Sequence, residues 1–104
     1  MMGENAPYVI YKYKIPLGGS VKLSGYFHRI LKAGEQDGEL VLWIENFANA
    51  TNLIQKVVTI HVFGTGCEYY KKTGHSVLDY VDTVQAQDGL VWHIFAERER
   101  YDVF

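Results

Sequence analysis

The chain has 104 residues, 48% of them hydrophobic and 21% charged, with a formal net charge of −2. Such a composition builds one domain, residues 1–104, with enough apolar material for a core, and is ordinary for a soluble globular protein. The slight acidity excludes general DNA or RNA binding, which needs a basic excess, and the single cysteine excludes an internal disulfide and fits a reducing compartment.

Taken in order, residues 1–7 read as a flexible start without the basic-then-apolar sequence of a signal peptide. Tyr8 to Ile15 alternates as a strand, with Val9, Tyr11, Tyr13 and Ile15 on one side. Pro16 and Gly18-Gly19 end it. Ser20 to Ser24 is a brief strand with Val21 and Leu23 inward, broken by Gly25. Tyr26 to Glu35 reads as strand because its start is aromatic and β-branched and a turn follows at once. Asp37-Gly38 tolerates the positive φ angles of a two-residue type I′ turn, and Glu39 to Phe47 leaves that turn as a strand. A polar link, Ala48 to Leu53, leads to Gln55–Phe63, the strongest β-branched run. After Gly64-Thr65-Gly66 comes a mixed loop through His75 with room for one helical turn. Val77 to Ala86 and Leu90 to Glu97 are the last strands, joined at Asp88-Gly89 by what reads as a second type I′ hairpin. Residues 98–104 read as a flexible charged end, and Glu97-Arg98-Glu99-Arg100 as a solvated edge. The sum is an antiparallel all-β domain, a sandwich or partly open barrel of six to seven strands. No apolar run approaches the ~18 residues of a membrane-spanning helix.

Strand parity sets two faces. Leu40, Leu42 and Ile44, then Val58, Ile60 and Val62, then Leu90, Trp92 and Ile94 form core rows. The opposite rows, with Trp43, Phe47, His61, Phe63, His93 and Phe95, are too apolar for solvent. They need a cover, either a second sheet or another copy of the chain, and the expectation is a homo-oligomer, a tetramer or a dimer.

Chemistry-bearing residues are sparse. His61 and His93 are expected to share the second face with Trp43, Thr59 and Glu45, either as the polar centre of an aromatic pocket or as satisfied histidines at an interface. His61, His75, His93 and Cys67 lack the short paired spacings of a zinc site, so no metal and no cofactor is expected. Serines and carboxylates stand in no catalytic context, and the chain is read as not an enzyme. Gly64-Thr65-Gly66 lacks the lysine and helix of a P-loop, but two glycines let backbone N–H groups converge on an anion; a plain strand-ending turn has the same composition. Tyr11-Lys12-Tyr13-Lys14 and Tyr69-Tyr70-Lys71-Lys72 suit base stacking with compensating charge, or an edge strand guarded by lysines.

Several landmarks together resemble a known family. They are Tyr11-Lys12-Tyr13, Gln36 to Trp43, Phe63-Gly64-Thr65-Gly66, Asp82-Thr83-Val84-Gln85 and Val91-Trp92-His93-Ile94-Phe95. In order and spacing, from about residue 8 to 96, they resemble a family of small bacteriophage proteins of formerly unknown function. Cys67 stands where relatives carry His, and Asp82 where they carry Gly, which puts roles at those positions in doubt. The family is in turn similar to anti-CBASS sponge proteins. That resemblance implies a homo-oligomer in the cytoplasm of an infected bacterial host, sequestering a cyclic dinucleotide such as 3′,3′-cGAMP without cleaving it. The expected ligand-binding residues are Tyr11, Lys12, Lys14, Trp43, Gly64, Thr65, Gly66, Trp92 and His93. The alternative is a small virion or assembly accessory protein acting through protein–protein contacts.

Overall fold

The computed structural model describes residues 7–49 and 53–99. The expectation of flexible ends therefore falls mostly outside the described residues. These form eight strands: β1 Tyr8–Ile15, β2 Gly19–Gly25, β3 Phe27–Gln36, β4 Glu39–Phe47, β5 Lys56–Gly64, β6 Lys72–Thr73, β7 Ser76–Gln85 and β8 Val91–Glu99. They make two antiparallel sheets, one ordered β1-β4-β3 and one ordered β2-β5-β8-β7-β6. The sheets face one another and do not close into a barrel. The strand beyond the expected count is β6, two residues that pair with Val77 and Ser76 across a Gly74-His75 turn, in the loop that has room for a helical turn.

The core follows from period-2 alternation. Leu40, Leu42 and Ile44 on β4 and Ile60, Val62 and Ile94 on β5 and β8 are fully buried between the sheets. Each such side chain contributes roughly 1.5–3 kcal/mol of gross burial. Ile15, Phe27, Ala33 and Val84 extend this layer. Leu90 does not belong to it. It lies in a loop and is 55% exposed, so the row expected as Leu90, Trp92 and Ile94 begins at Trp92.

The two Asp-Gly turns differ. Asp37 and Gly38 both have positive φ, 52° and 80°, as a type I′ turn between Gln36 and Glu39 requires. At the second, only Gly89 does, at 90°. Gly89 N–H donates to the Ala86 carbonyl (3.0 Å) and Ala86 N–H to the Leu90 carbonyl (2.8 Å). That is a three-residue loop whose glycine takes the left-handed position after a tight turn, not a second type I′ hairpin. Leu90 N–H donates to Asp88 Oδ1 at 3.0 Å, which fixes the longer loop.

The outer rows are not an intersheet layer. Trp43 lies on the outside of the three-stranded sheet, folded over Gly34, where an added Cβ would stand 3.0 Å from Trp43 Cζ3. Phe63 and Phe95 lie on the outside of the five-stranded sheet, and the segment after β5 returns over them. The Tyr69 ring stacks on Phe63 (centroids 4.8 Å, 14° between planes) and leans on Phe95 (4.9 Å). Part of the cover assigned to a second sheet or a second copy thus comes from the chain itself. The expected grouping of His61 and His93 with Trp43 and Glu45 also separates, because these pairs occupy opposite outer faces.

Candidate functional site

The outer face of the five-stranded sheet carries the densest chemistry. Its organiser is a bulge in β7. Tyr80 pairs with Phe95, but the next pairs are Asp82 with Ile94 and Thr83 with His93, so Val81 is the extra residue. The bulge puts Tyr80 and Thr83 on the same face and turns Asp82 inward. There Asp82 Oδ2 accepts the backbone N–H of Ala33 (3.0 Å), joining the edge of the three-stranded sheet to β7. Asp82 Oδ1 accepts from Thr83 N–H at 2.9 Å.

Outward, four side chains form a line. Tyr80 Oη lies 2.7 Å from Thr83 Oγ1, which lies 3.2 Å from His93 Nδ1, and His93 Nε2 lies 2.8 Å from Thr65 Oγ1. One tautomer directs every donor the same way. Tyr80 donates to Thr83, Thr83 to Nδ1, and Nε2–H to Thr65, which leaves the Thr65 hydroxyl hydrogen for an acceptor in the hollow beside it. That hollow measures about 280 Å³ and is lined by Phe63, Gly64, Thr65, Gly66, Cys67, Tyr69, Tyr80, His93 and Phe95. A second hollow of about 330 Å³ lies across the Phe63–Tyr69 stack and includes His61, Tyr70, Lys71 and Glu97. There His61 Nε2 donates to Glu97 Oε1 (2.9 Å) and Ser76 Oγ to Glu97 Oε2 (3.2 Å). Glu97 and Arg98, read as a solvated edge, are instead part of β8, with Arg98 paired to Asp79.

The backbone of the Gly64–Gly66 turn gives less than an anion nest. Thr65 N–H goes to the Val91 carbonyl (3.3 Å), and Cys67 N–H closes the turn onto Gly64 (3.1 Å). Gly66, with φ +94°, holds the position that a type II turn reserves for glycine.

Of the expected ligand residues, Gly64, Thr65, Gly66 and His93 come together here. Trp92 does not. It faces inward against the core, with Gly18 and Gly64 beside its ring, and its Nε1 is buried without a protein partner. Tyr11, Lys12, Lys14 and Trp43 sit on the other sheet. Lys12 Nζ donates to Gln36 Oε1 and Lys14 pairs with Glu39, each at 2.7 Å. Sequence reasoning missed Tyr69, Tyr80 and Thr83 as site residues. Tyr69 carried a signal in its Tyr69-Tyr70-Lys71-Lys72 run and Thr83 in the Asp82-Thr83-Val84-Gln85 landmark, whereas Tyr80 carried none. Among the described residues no group of three or more His, Cys, Asp or Glu is placed to hold a metal ion.

A bulged strand, an in-line set of hydroxyls and one imidazole, and two hollows divided by an aromatic wall mark one outer face of a small two-sheet all-β protein. The chain belongs to the family described as a domain of unknown function (DUF7352), whose model matches residues 7–103. No curated protein and no solved structure matches it. No helix among the described residues is long and apolar enough to cross a membrane.

Proposed function

We infer that this chain binds a small anionic ligand with two flat rings, of the cyclic dinucleotide class, and holds it without chemistry. The observation that carries the reading is the pair of similar hollows flanking one aromatic wall, Phe63 and Tyr69. Two planar arms could each enter a hollow, and an oxyanion could accept the Thr65 hydroxyl. Stacking of a base on an aromatic ring is worth roughly 1–3 kcal/mol. His93 has both ring nitrogens engaged by hydroxyls, which suits a positioned donor more than a free general base. With the resemblance to anti-CBASS sponges, the reading becomes sequestration of a bacterial defence signal in the host cytoplasm during phage infection.

The cationic residues Lys12 and Lys14 face away from the hollows of their own chain. The proposal therefore includes a tetramer or dimer in which a second copy brings them to the ligand. Calorimetry with 3′,3′-cGAMP and a panel of other cyclic dinucleotides tests it, alongside light scattering. Binding weakened by Thr65→Val and by Lys12→Ala is the expected result. Binding weakened by Thr65→Val alone, on a monomer, would remove the second copy from the site. No heat with any member of the panel would overturn the ligand class, and cosedimentation with phage particles would then favour a virion role.

A further inference from the structure

A larger cavity than either hollow lies elsewhere. It measures about 460 Å³ and opens between the sheets, where the start of β3 stands off from the start of β5 and the end of β8. Ile30 and Val58, part of the core layer, form its apolar floor. Lys22, Lys56, Arg29 and Arg98 line it, and Glu97, the acidic residue on its wall, has its carboxylate held by His61 and Ser76 in the second hollow. Arg29 is engaged by Glu45 and Arg98 by Asp79. Lys22 and Lys56 make no ion pair among the described residues.

The wall of the cleft is also irregular in a telling way. β3 carries register shifts between Phe27 and Arg29 and between Ile30 and Lys32, so His28 and Leu31 are extra residues. The first shift sets His28 and Arg29 side by side on Glu45, at 2.8 and 3.3 Å. Bulges of this kind concentrate at sheet edges, where β3 lies, and beside sites, where they re-aim side chains. A volume within the roughly 300–1,000 Å³ of ligand pockets, an apolar floor and two uncommitted ammonium groups make a consistent set.

We propose that this cleft binds an organic anion: an oxyanion head held by Lys22 and Lys56, on an apolar or planar body seated against Ile30 and Val58. It is separate from the Thr65–His93 site and does not depend on it.

Calorimetry at low ionic strength, with adenosine monophosphate and octyl phosphate as probes and inorganic phosphate as control, tests the assignment. The wild type should bind at least one organic probe more tightly than inorganic phosphate. Lys22→Ala with Lys56→Ala should weaken that binding about tenfold, as two partly exposed charge contacts would, and flatten its salt dependence. Thr65→Val should leave it unchanged. Preference for the nucleotide would identify a planar body, and preference for octyl phosphate an alkyl one. Absence of binding by both probes, equal binding of inorganic phosphate, or affinity unchanged in the double lysine variant would each overturn the proposal. Because both lysines are exposed, the variant should keep its melting temperature, which separates lost binding from lost fold.

Discussion

Asp82→Ala is the sharpest test of how the two sheets are joined. Ala33, whose N–H is held by Asp82 Oδ2 at 3.0 Å, is 2% exposed. Removing the carboxylate leaves that donor without its partner in a site water barely reaches. Hydrogen bonds to charged groups are worth about 1.5–3 kcal/mol, and an orphaned buried donor costs a similar amount. For a domain of this size each 1 kcal/mol moves the melting temperature by roughly 4 °C or more. A fall of about 6–12 °C in a thermal melt followed by circular dichroism is therefore expected. Hydrogen exchange adds a local readout, because the Ala33 amide should lose protection more than amides of β5. Asp82→Asn keeps one oxygen for Ala33 but cannot accept from Thr83 N–H as well, so it should fall between wild type and Ala. An Asp82→Ala protein with wild-type melting temperature and an equally protected Ala33 amide would refute the bridging role.

Gly38→Val and Gly89→Val should each destabilise by about 1–2 kcal/mol or more in urea titrations, since both glycines sit at positive φ. Glu45 is held below its ordinary pKa of 4.5, chiefly by the His28 hydrogen bond and also by Arg29, against a smaller opposing effect of burial. A lowered folded-state value means that its contribution is complete above the ordinary carboxylate range and is lost as pH falls through the lowered value. Glu45→Gln should accordingly flatten the acid side of the melting-temperature profile while changing its slope little near neutrality. Tyr69→Ala should uncover Phe63 and Phe95, raise binding of an apolar dye and cost about 0.5–1.5 kcal/mol for each aromatic pair lost.

Much of the fold is legible in local pattern. The bounds of β1 and β4, the Asp37-Gly38 turn and the buried faces of β4 and β5 follow from alternation and turn chemistry alone. What alternation cannot say is which sheet a strand joins. Trp43 and His93 have the same outward parity, yet they end on opposite sides of the molecule. The β7 bulge is invisible for a related reason. Val81 is β-branched like Val77, Thr83 and Val84 of the same strand, so nothing local marks it as the residue that slips the register, and Tyr80 and Thr83 could not be placed on one face. Half of the site was readable because Gly64, Thr65 and Gly66 are contiguous. The other half is assembled by cross-strand pairing, and Tyr69 reaches it only because its loop folds back.

The shortness of β6 has a consequence for how copies of this chain can pack. A two-residue terminal strand leaves most of β7 without a hydrogen-bonded neighbour on that side of its sheet. Such an edge invites endless strand-on-strand growth. Here Asp79 and Asp82 stand along it, one paired with Arg98 and one committed to Ala33. A strand arriving from another molecule would have to strip these carboxylates of their partners or bury them. Fibrillar stacking along this edge is thereby disfavoured, which leaves the sheet faces as the surfaces through which two copies would meet.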